Sequence, residues 1–294
     1  MPSNSPINEP NPLKNTGTLY VVATPIGNQD DITVRALSVF REVDLIAAED
    51  TRKTRRFLAL HDVRSKLVSY HEHNEEKRTP QLIQKLLCGH QIALASNAGT
   101  PSVSDPGYRL IQAAISHNIE VVPVPGVSAA IAALSVAGLP TEAFVFTGFL
   151  SKKKGRRLKQ LQDLATEDRT FIIYESPKRI LALLQDIITI LGDRRAVLAR
   201  EMTKIHEEFI RGRVSEIAAT LKNRSGIKGE CTLLVAGNVE IESISRERLI
   251  REISEALESG SLKASEIARQ LSKKYQLPRN SVYDEVLKMK RKKA

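Results

Sequence analysis

Five acidic and imidazole side chains stand where apolar runs break into polar loops: Glu49 and Asp50, His71 and His73, and Glu201. Carboxylates and imidazoles placed this way suit general acid–base work on a bound substrate. Each also has a structural reading. Asp50 serves equally well as the N-cap of a helix opening at Thr51, with Arg52 as an ion-pair partner. His71 and His73 flank one residue, so on a strand end they share a face. Without a third ligand nearby they read as hydrogen-bonding groups or a base rather than a metal pair, and no metal is expected. Glu201 has Arg200 and Lys204 as ready ion-pair partners.

The most demanding stretch is Ser96-Asn97-Ala98-Gly99-Thr100-Pro101-Ser102-Val103-Ser104-Asp105-Pro106-Gly107. Glycine permits positive φ and close backbone approach, and proline fixes φ and removes a donor. It follows the apolar run Ile92-Ala93-Leu94-Ala95, so it is a strand-to-helix turn at the edge where open α/β sheets bind ligands. Neither common phosphate loop is present, so any nucleotide is held another way. A second feature is Lys152-Lys153-Lys154-Gly155-Arg156-Arg157-Leu158-Lys159, with six cations in eight residues. A solvated face is the ordinary reading of such a run. Here it follows Gly148-Phe149-Leu150 directly and favours phosphate contact, extended by Lys178 and Arg179.

The elements that must position these residues are legible from apolar patterning. Buried strands are expected at 18–23, 44–48, 66–69, 92–95 and 120–123, alternating with helices, the first of them capped by Asp31. Each strand empties into a Gly-, Pro-, Ser-, Asp- or His-rich loop, the pattern of a parallel sheet with ligand loops along one edge. Ser128 reads as the N-cap of an Ala-rich helix. A second set of strands is expected at 143–146, 170–174, 196–199, 209–211 and 231–236, with helices at 159–165, 177–191 and 214–221. The hairpin-like spacing of 196–213 predicts a mixed sheet. The expected organisation is a disordered lead-in over 1–16, an α/β domain over 17–138, a second over 139–240, and a helical tail over 241–294. In that tail, helices at 246–258, 263–275 and 279–289 have a helix-turn-helix rhythm. A cleft between two α/β domains favours a small-molecule site.

The chain carries 44 Lys+Arg against 34 Asp+Glu, a net charge of +10, which argues for a polyanionic partner. Residues 241–294 hold 13 basic and 8 acidic residues, so +5 of that excess lies in the tail. Trp is absent and aromatics total 4%, which speaks against a stacking platform for single strands. No apolar run approaches the ~20 residues of a membrane span, and no membrane is expected. Cys88 and Cys231 are the only cysteines and offer neither a disulfide framework nor a zinc site. With no signal-peptide pattern, the cytoplasm is the expected compartment.

Taken in order, Ala23-Thr24-Pro25-Ile26-Gly27-Asn28, the Glu49-Asp50 and His71–Glu75 motifs, Ala98-Gly99-Thr100-Pro101 and Ser104-Asp105-Pro106-Gly107 resemble the tetrapyrrole-methylase superfamily of S-adenosylmethionine (SAM) enzymes. Tyr174-Glu175-Ser176-Pro177-Lys178-Arg179, Arg200–Lys204 and Lys228-Gly229-Glu230 extend the resemblance to about residue 237. The arrangement is most similar to the branch acting on a cytidine ribose 2′-hydroxyl of 16S ribosomal RNA in the small subunit. The resemblance implies two α/β domains, a homodimer, and SAM in the interdomain cleft. Carried over, the cofactor contacts are Pro25, Ile26, Asn97, Ala98, Gly99, Thr100, Ser128, Ala129, Tyr174, Met202 and Thr232. Asn97 stands where the family often has Asp, keeping an acceptor oxygen without the charge. The rival functions are a small-molecule tetrapyrrole methylase, which needs neither basic run nor tail, and a SAM-sensing nucleic-acid-binding regulator.

Overall fold

The apolar runs are strands, and what surrounds each explains its composition. The computed structural model describes residues 16–238, 246–258, 262–275, 277 and 279–293, so the expected lead-in lies outside the described residues save Thr16. Residues up to Asn238 form one compact unit and those from Val239 a second.

The first sheet is built of β1 (Thr18–Val22), β2 (Leu45–Ala48), β3 (Leu67–Ser69), β4 (Ile92–Ala95) and β5 (Glu120–Val124). Its order is β3-β2-β4-β1-β5, all parallel. Val22, Ile46, Ala93 and Ala95 pack on one face against α1 (Val34–Glu42) and α2 (Thr51–Leu60). Leu19, Ala47, Ile92 and Leu94 pack on the other against α3 (Glu75–Leu87) and α4 (Tyr108–Ser116). Burial on both faces is why these strands read as continuous apolar runs. The expected Asp31 cap is corrected. Asn28 closes a 3-10 turn over Gln29–Asp31, and α1 is capped by Thr33, whose hydroxyl accepts from the Ala36 N–H at 3.1 Å.

The second sheet is mixed, as its spacing predicts. It runs β6 (Phe144–Phe149), β7 (Thr170–Glu175), β10 (Cys231–Val235), β8 (Arg195–Arg200), β9 (Glu208–Arg213). β6 and β7 are parallel and the remaining pairs antiparallel. On one face lie α6 (Lys154–Asp163), α7 (Ile180–Leu191) and α8 (Val214–Lys222). On the other lies α5 (Ala129–Ala137), whose small side chains Ala130, Ala133 and Ala137 let it sit close to Ile172, Val197 and Leu234. Ile26 and Met202 belong to the same cluster, so a loop of the first sheet and one of the second share a core. Helix α6 begins five residues earlier than its sequence pattern suggests, because Arg157 supplies an inward face that hydrophobicity does not reveal. Its side chain is 9% exposed and ion-paired with Asp186 at 2.6 Å.

The second unit comprises α9 (Arg246–Glu258), α10 (Ala264–Tyr275) and α11 (Arg279–Lys293), packed around Ile253, Ile267, Leu271, Val282 and Val286. Lys274 on α10 pairs with Glu252 on α9 at 2.9 Å.

Candidate active site

Two loops leave the carboxyl ends of the adjacent strands β1 and β4 and zip together. Thr24 and Gly99 exchange backbone hydrogen bonds, both 2.9 Å, and the Thr24 hydroxyl donates to the Ser96 carbonyl at 3.2 Å. The exchange holds Gly99 at φ +76°, a conformation glycine adopts without penalty. Beyond it the chain is strained: Ser102 and Ser104 have φ of 67° and 65°. Non-glycine residues in this region cost of order 1–3 kcal/mol each, and such strain gathers at ligand clamps. The loop is held from outside as well. A Cβ on Gly148, in the irregular part of β6, would come within 2.8 Å of the Ser104 hydroxyl.

This loop forms one wall of a cavity of about 290 Å³. Ala98, Gly99, Thr100, Ser104, Asp105, Ser128 and Ala129 line it from the first half, and Phe149, Tyr174, Glu175, Glu230 and Cys231 from the second. Its size lies near the lower end of the ~300–1,000 Å³ range of small-molecule sites. Tyr174 carries the junction. Its hydroxyl accepts from the Ala130 N–H at 3.0 Å, in the first turn of α5, while its ring meets Phe146 and Phe149 edge-on at 4.9 and 5.7 Å. Ser128 occupies the N-cap position, as its sequence context predicts, but makes no cap hydrogen bond, and the tyrosine supplies one instead.

The cavity is acidic. Burial pushes the Asp105 carboxyl up to about 7, reinforced by the charges of Glu49 and Glu230 and opposed by a hydrogen bond with Ser96. Burial likewise raises the Tyr174 hydroxyl, and pushes the Cys231 thiol up to about 12. Glu175, whose side chain is 1% exposed, is paired with Arg179 at 2.9 Å.

Six of the eleven expected cofactor residues line this cavity: Ala98, Gly99, Thr100, Ser128, Ala129 and Tyr174. Pro25 and Asn97 line a smaller cavity of about 160 Å³ beside α2, with Lys53 and Phe57. Ile26, Met202 and Thr232 lie in the core. Among the acid–base candidates, Glu49 accepts from the Asn97 N–H at 3.0 Å and acts on Asp105 through its charge. Asp50 caps α2, accepting from the Arg52 N–H at 2.9 Å, which lowers its carboxyl below the usual range. Glu201 pairs with Lys204 at 2.9 Å and is lowered by it; it also accepts from the Glu230 N–H at 3.0 Å. The His71 Nε2 lies 3.0 Å from the Asn74 amide, and the His71 and His73 rings are 6.0 Å apart. No cluster able to hold a metal occurs among the described residues.

Two phosphate-contact expectations are corrected. Arg157 is buried against Asp186. Arg179 is committed to Glu175 and to the Leu150 and Ser151 carbonyls at 3.0 and 3.2 Å. Lys152, Lys153, Lys154, Arg156 and Lys178 are exposed. Asp105 and Glu230 were not singled out by sequence reasoning, although both sit in motifs that carry the family resemblance. An acid within a Ser/Pro/Gly turn was the available signal.

The two-sheet α/β architecture is shared with a C-methyltransferase of porphyrin chemistry. Uroporphyrin-III C-methyltransferase of Thermus thermophilus superposes with TM-score 0.55 at 18% identity, covering 75% of this chain and 97% of that one. A second crystal structure of that enzyme, complexed with S-adenyl homocysteine, superposes with TM-score 0.53. The profile of the tetrapyrrole (corrin/porphyrin) methylases matches residues 18–218, and the chain belongs to that family. It is also 47% identical over 270 residues to ribosomal RNA small subunit methyltransferase I of Synechocystis, covering 91% of this chain and 96% of that protein. Identity to the protein of the same description from Micromonospora olivasterospora is 44% over 271 residues, 92% and 87% of the two chains. No helix among the described residues is long and apolar enough to cross a membrane.

Proposed function

We propose that this chain transfers a methyl group from SAM to the 2′-hydroxyl of a cytidine ribose in 16S ribosomal RNA. The observation that carries this reading is the acidic cavity at the junction of the two halves. Its residues fit SAM. Asp105 and Glu230 suit a cation, with the charge of Glu49 behind Asp105, Phe149 and Tyr174 offer apolar faces, and the Ser104, Thr100 and Ser128 hydroxyls offer polar contacts. The Asn97 Oδ1 is buried without a hydrogen-bond partner, a vacant acceptor beside the Ala98–Thr100 wall. When bound, SAM supplies an electrophilic methyl group on a sulfonium. The chain's own work is to orient and to exclude water: the Thr24–Gly99 zipper fixes the loop, and the Tyr174 hydroxyl fixes α5 against the second sheet. Asp105, with a pKa near neutrality, is the cavity group suited to hold a proton from an attacking hydroxyl.

The chain is read as cytoplasmic and homodimeric, with the half-exposed Ile131 and Val136 of α5 as apolar surface for a second copy. The helical unit is read as a further RNA contact. Ending the chain after Asn238 should leave SAM affinity intact while lowering kcat/KM for ribosomal particles. Tritiated SAM offered to small subunits, free 16S RNA and a porphyrinogen tests the main reading. Label in ribose-methylated cytidine is expected, and label in the porphyrinogen alone would overturn it.

A further inference from the structure

We infer that helix α2 and the turn after it form a second RNA-backbone surface, on the opposite half from the Lys152–Lys159 run; the inference rests on the RNA reading above. Between residues 52 and 66 the chain carries Arg52, Lys53, Arg55, Arg56, Arg64 and Lys66 against Asp62 alone, all of them exposed. Several arginines elsewhere in this unit are held by carboxylates: Arg157 by Asp186, Arg179 by Glu175, Arg200 and Arg224 by Glu208. Here only Arg52 pairs, with the cap residue Asp50 at 3.5 Å, and its side chain is 89% exposed.

Their arrangement is a track rather than a scatter. Arg52, Arg55 and Arg56 fall at i, i+3 and i+4 on one helix face, Arg52 and Arg56 about 6 Å apart along the axis. Arg55, Arg64 and Lys66 border a groove of about 500 Å³ between α2 and β3. The track also starts in the right place. Helix α2 leaves the carboxyl end of β2, which pairs with β4, whose loop walls the methyl-donor cavity. Lys53 shares the small cavity with Asn97. The Lys152–Lys159 run begins just beyond Phe149, on the other side of the same cavity. From Arg52 and Lys53, at the carboxyl edge of the sheet, the track runs along α2 to Arg64 and Lys66 at the amino end of β3, so an RNA strand leaving the cavity mouth would be followed down this side of the first half. Unpaired cationic groups along a groove suit a phosphodiester backbone through their charge.

The test uses the full-length protein with Arg55, Arg56 and Arg64 all changed to Ala, and the same three changed to Lys. SAM affinity by calorimetry should match wild type in both. Binding to 16S RNA across a salt series should lose about 0.7–0.9 of logarithmic slope for each phosphate contact removed, so roughly two units in the Ala variant, with affinity down at least about tenfold at 0.1 M salt. The Lys variant should retain most of the slope. An Ala variant with wild-type slope and affinity overturns the inference, as does a Lys variant that loses as much as Ala, which would mark a packing role. Loss toward small subunits but not toward free RNA also overturns it, assigning the surface to a protein of the particle. A wild-type enzyme that methylates no RNA would instead bring down the functional reading itself.

Discussion

The cavity's first wall is held by backbone, whereas its second is held by side chains. From Ala98 to Asp105 the wall is loop, pinned by the Thr24–Gly99 zipper and kept in left-handed conformations at Gly99, Ser102 and Ser104. Opposite, Tyr174, Glu175 and Cys231 project from regular strands, positioned by an ion pair, a tyrosine hydroxyl and ring contacts. A loop that departs from regular structure can bring backbone groups against a ligand but carries strain. A strand cannot do that, yet it sets side-chain direction at little cost. The two walls should therefore fail differently.

The largest effect belongs to the strand wall. Arg179→Ala leaves the Glu175 carboxylate buried and unpaired and frees two carbonyls at the start of the basic run. Removing one partner of a buried ion pair costs about 3–5 kcal/mol. Urea denaturation should show that loss; a midpoint equal to wild type would mean side-chain pairing does not hold this wall.

Next comes Gly99→Val on the loop wall. A Cβ there would sit 3.7 Å from Ile26 Cγ2 and 3.9 Å from the Val127 carbonyl, ordinary contacts, so space is not the constraint. The cost is the φ of +76°, about 1–3 kcal/mol, paid by distorting the zipper. Calorimetry should show SAM affinity down more than tenfold. Unchanged affinity with unchanged melting would show that the wall does not depend on this backbone.

Tyr174→Phe keeps the ring and removes the hydroxyl that caps α5, at about 1 kcal/mol. The melting temperature should fall modestly. A loss as large as that of Arg179→Ala would show the two halves to be joined chiefly through this contact.

The same contrast explains what sequence could reveal. The first sheet was readable because both its faces are buried, so Leu19-Tyr20-Val21-Val22 and Ile92–Ala95 stand out as apolar runs. The mixed second sheet followed from the spacing of 196–213. What composition hid were polar groups with inward fates. Arg157 and Arg179 sit among cations and look like surface, and only the tertiary positions of Asp186 and Glu175 decide otherwise. Asp31 has a capping side chain, but it ends a 3-10 turn, and the helix itself starts after Thr33. Asp105 was hidden for the opposite reason: its sequence neighbours are turn residues, and the carboxylates that perturb it, Glu49 and Glu230, lie 56 and 125 positions away in the chain.

The smallest predicted effect on SAM affinity falls on Asp105, the loop-wall residue controlled by both halves. With a folded-state pKa of about 7, far above that of an exposed aspartate, the folded protein holds an extra proton across the interval between the two values. Its contribution to stability is therefore fully present below about pH 4 and is lost as pH rises through 7. Asp105→Asn should flatten that decline. Ligand binding has the opposite sign: a cationic ligand favours the carboxylate, so SAM binding should release a proton and strengthen as pH rises. If only the carboxylate form binds, affinity should increase about fivefold from pH 6 to 7 and about twofold from 7 to 8. Calorimetry in two buffers of different ionisation heat reads the released proton directly. Proton release near pH 7 that persists in Asp105→Asn would assign the titration to another group, and would remove Asp105 from the loop wall's contribution to binding.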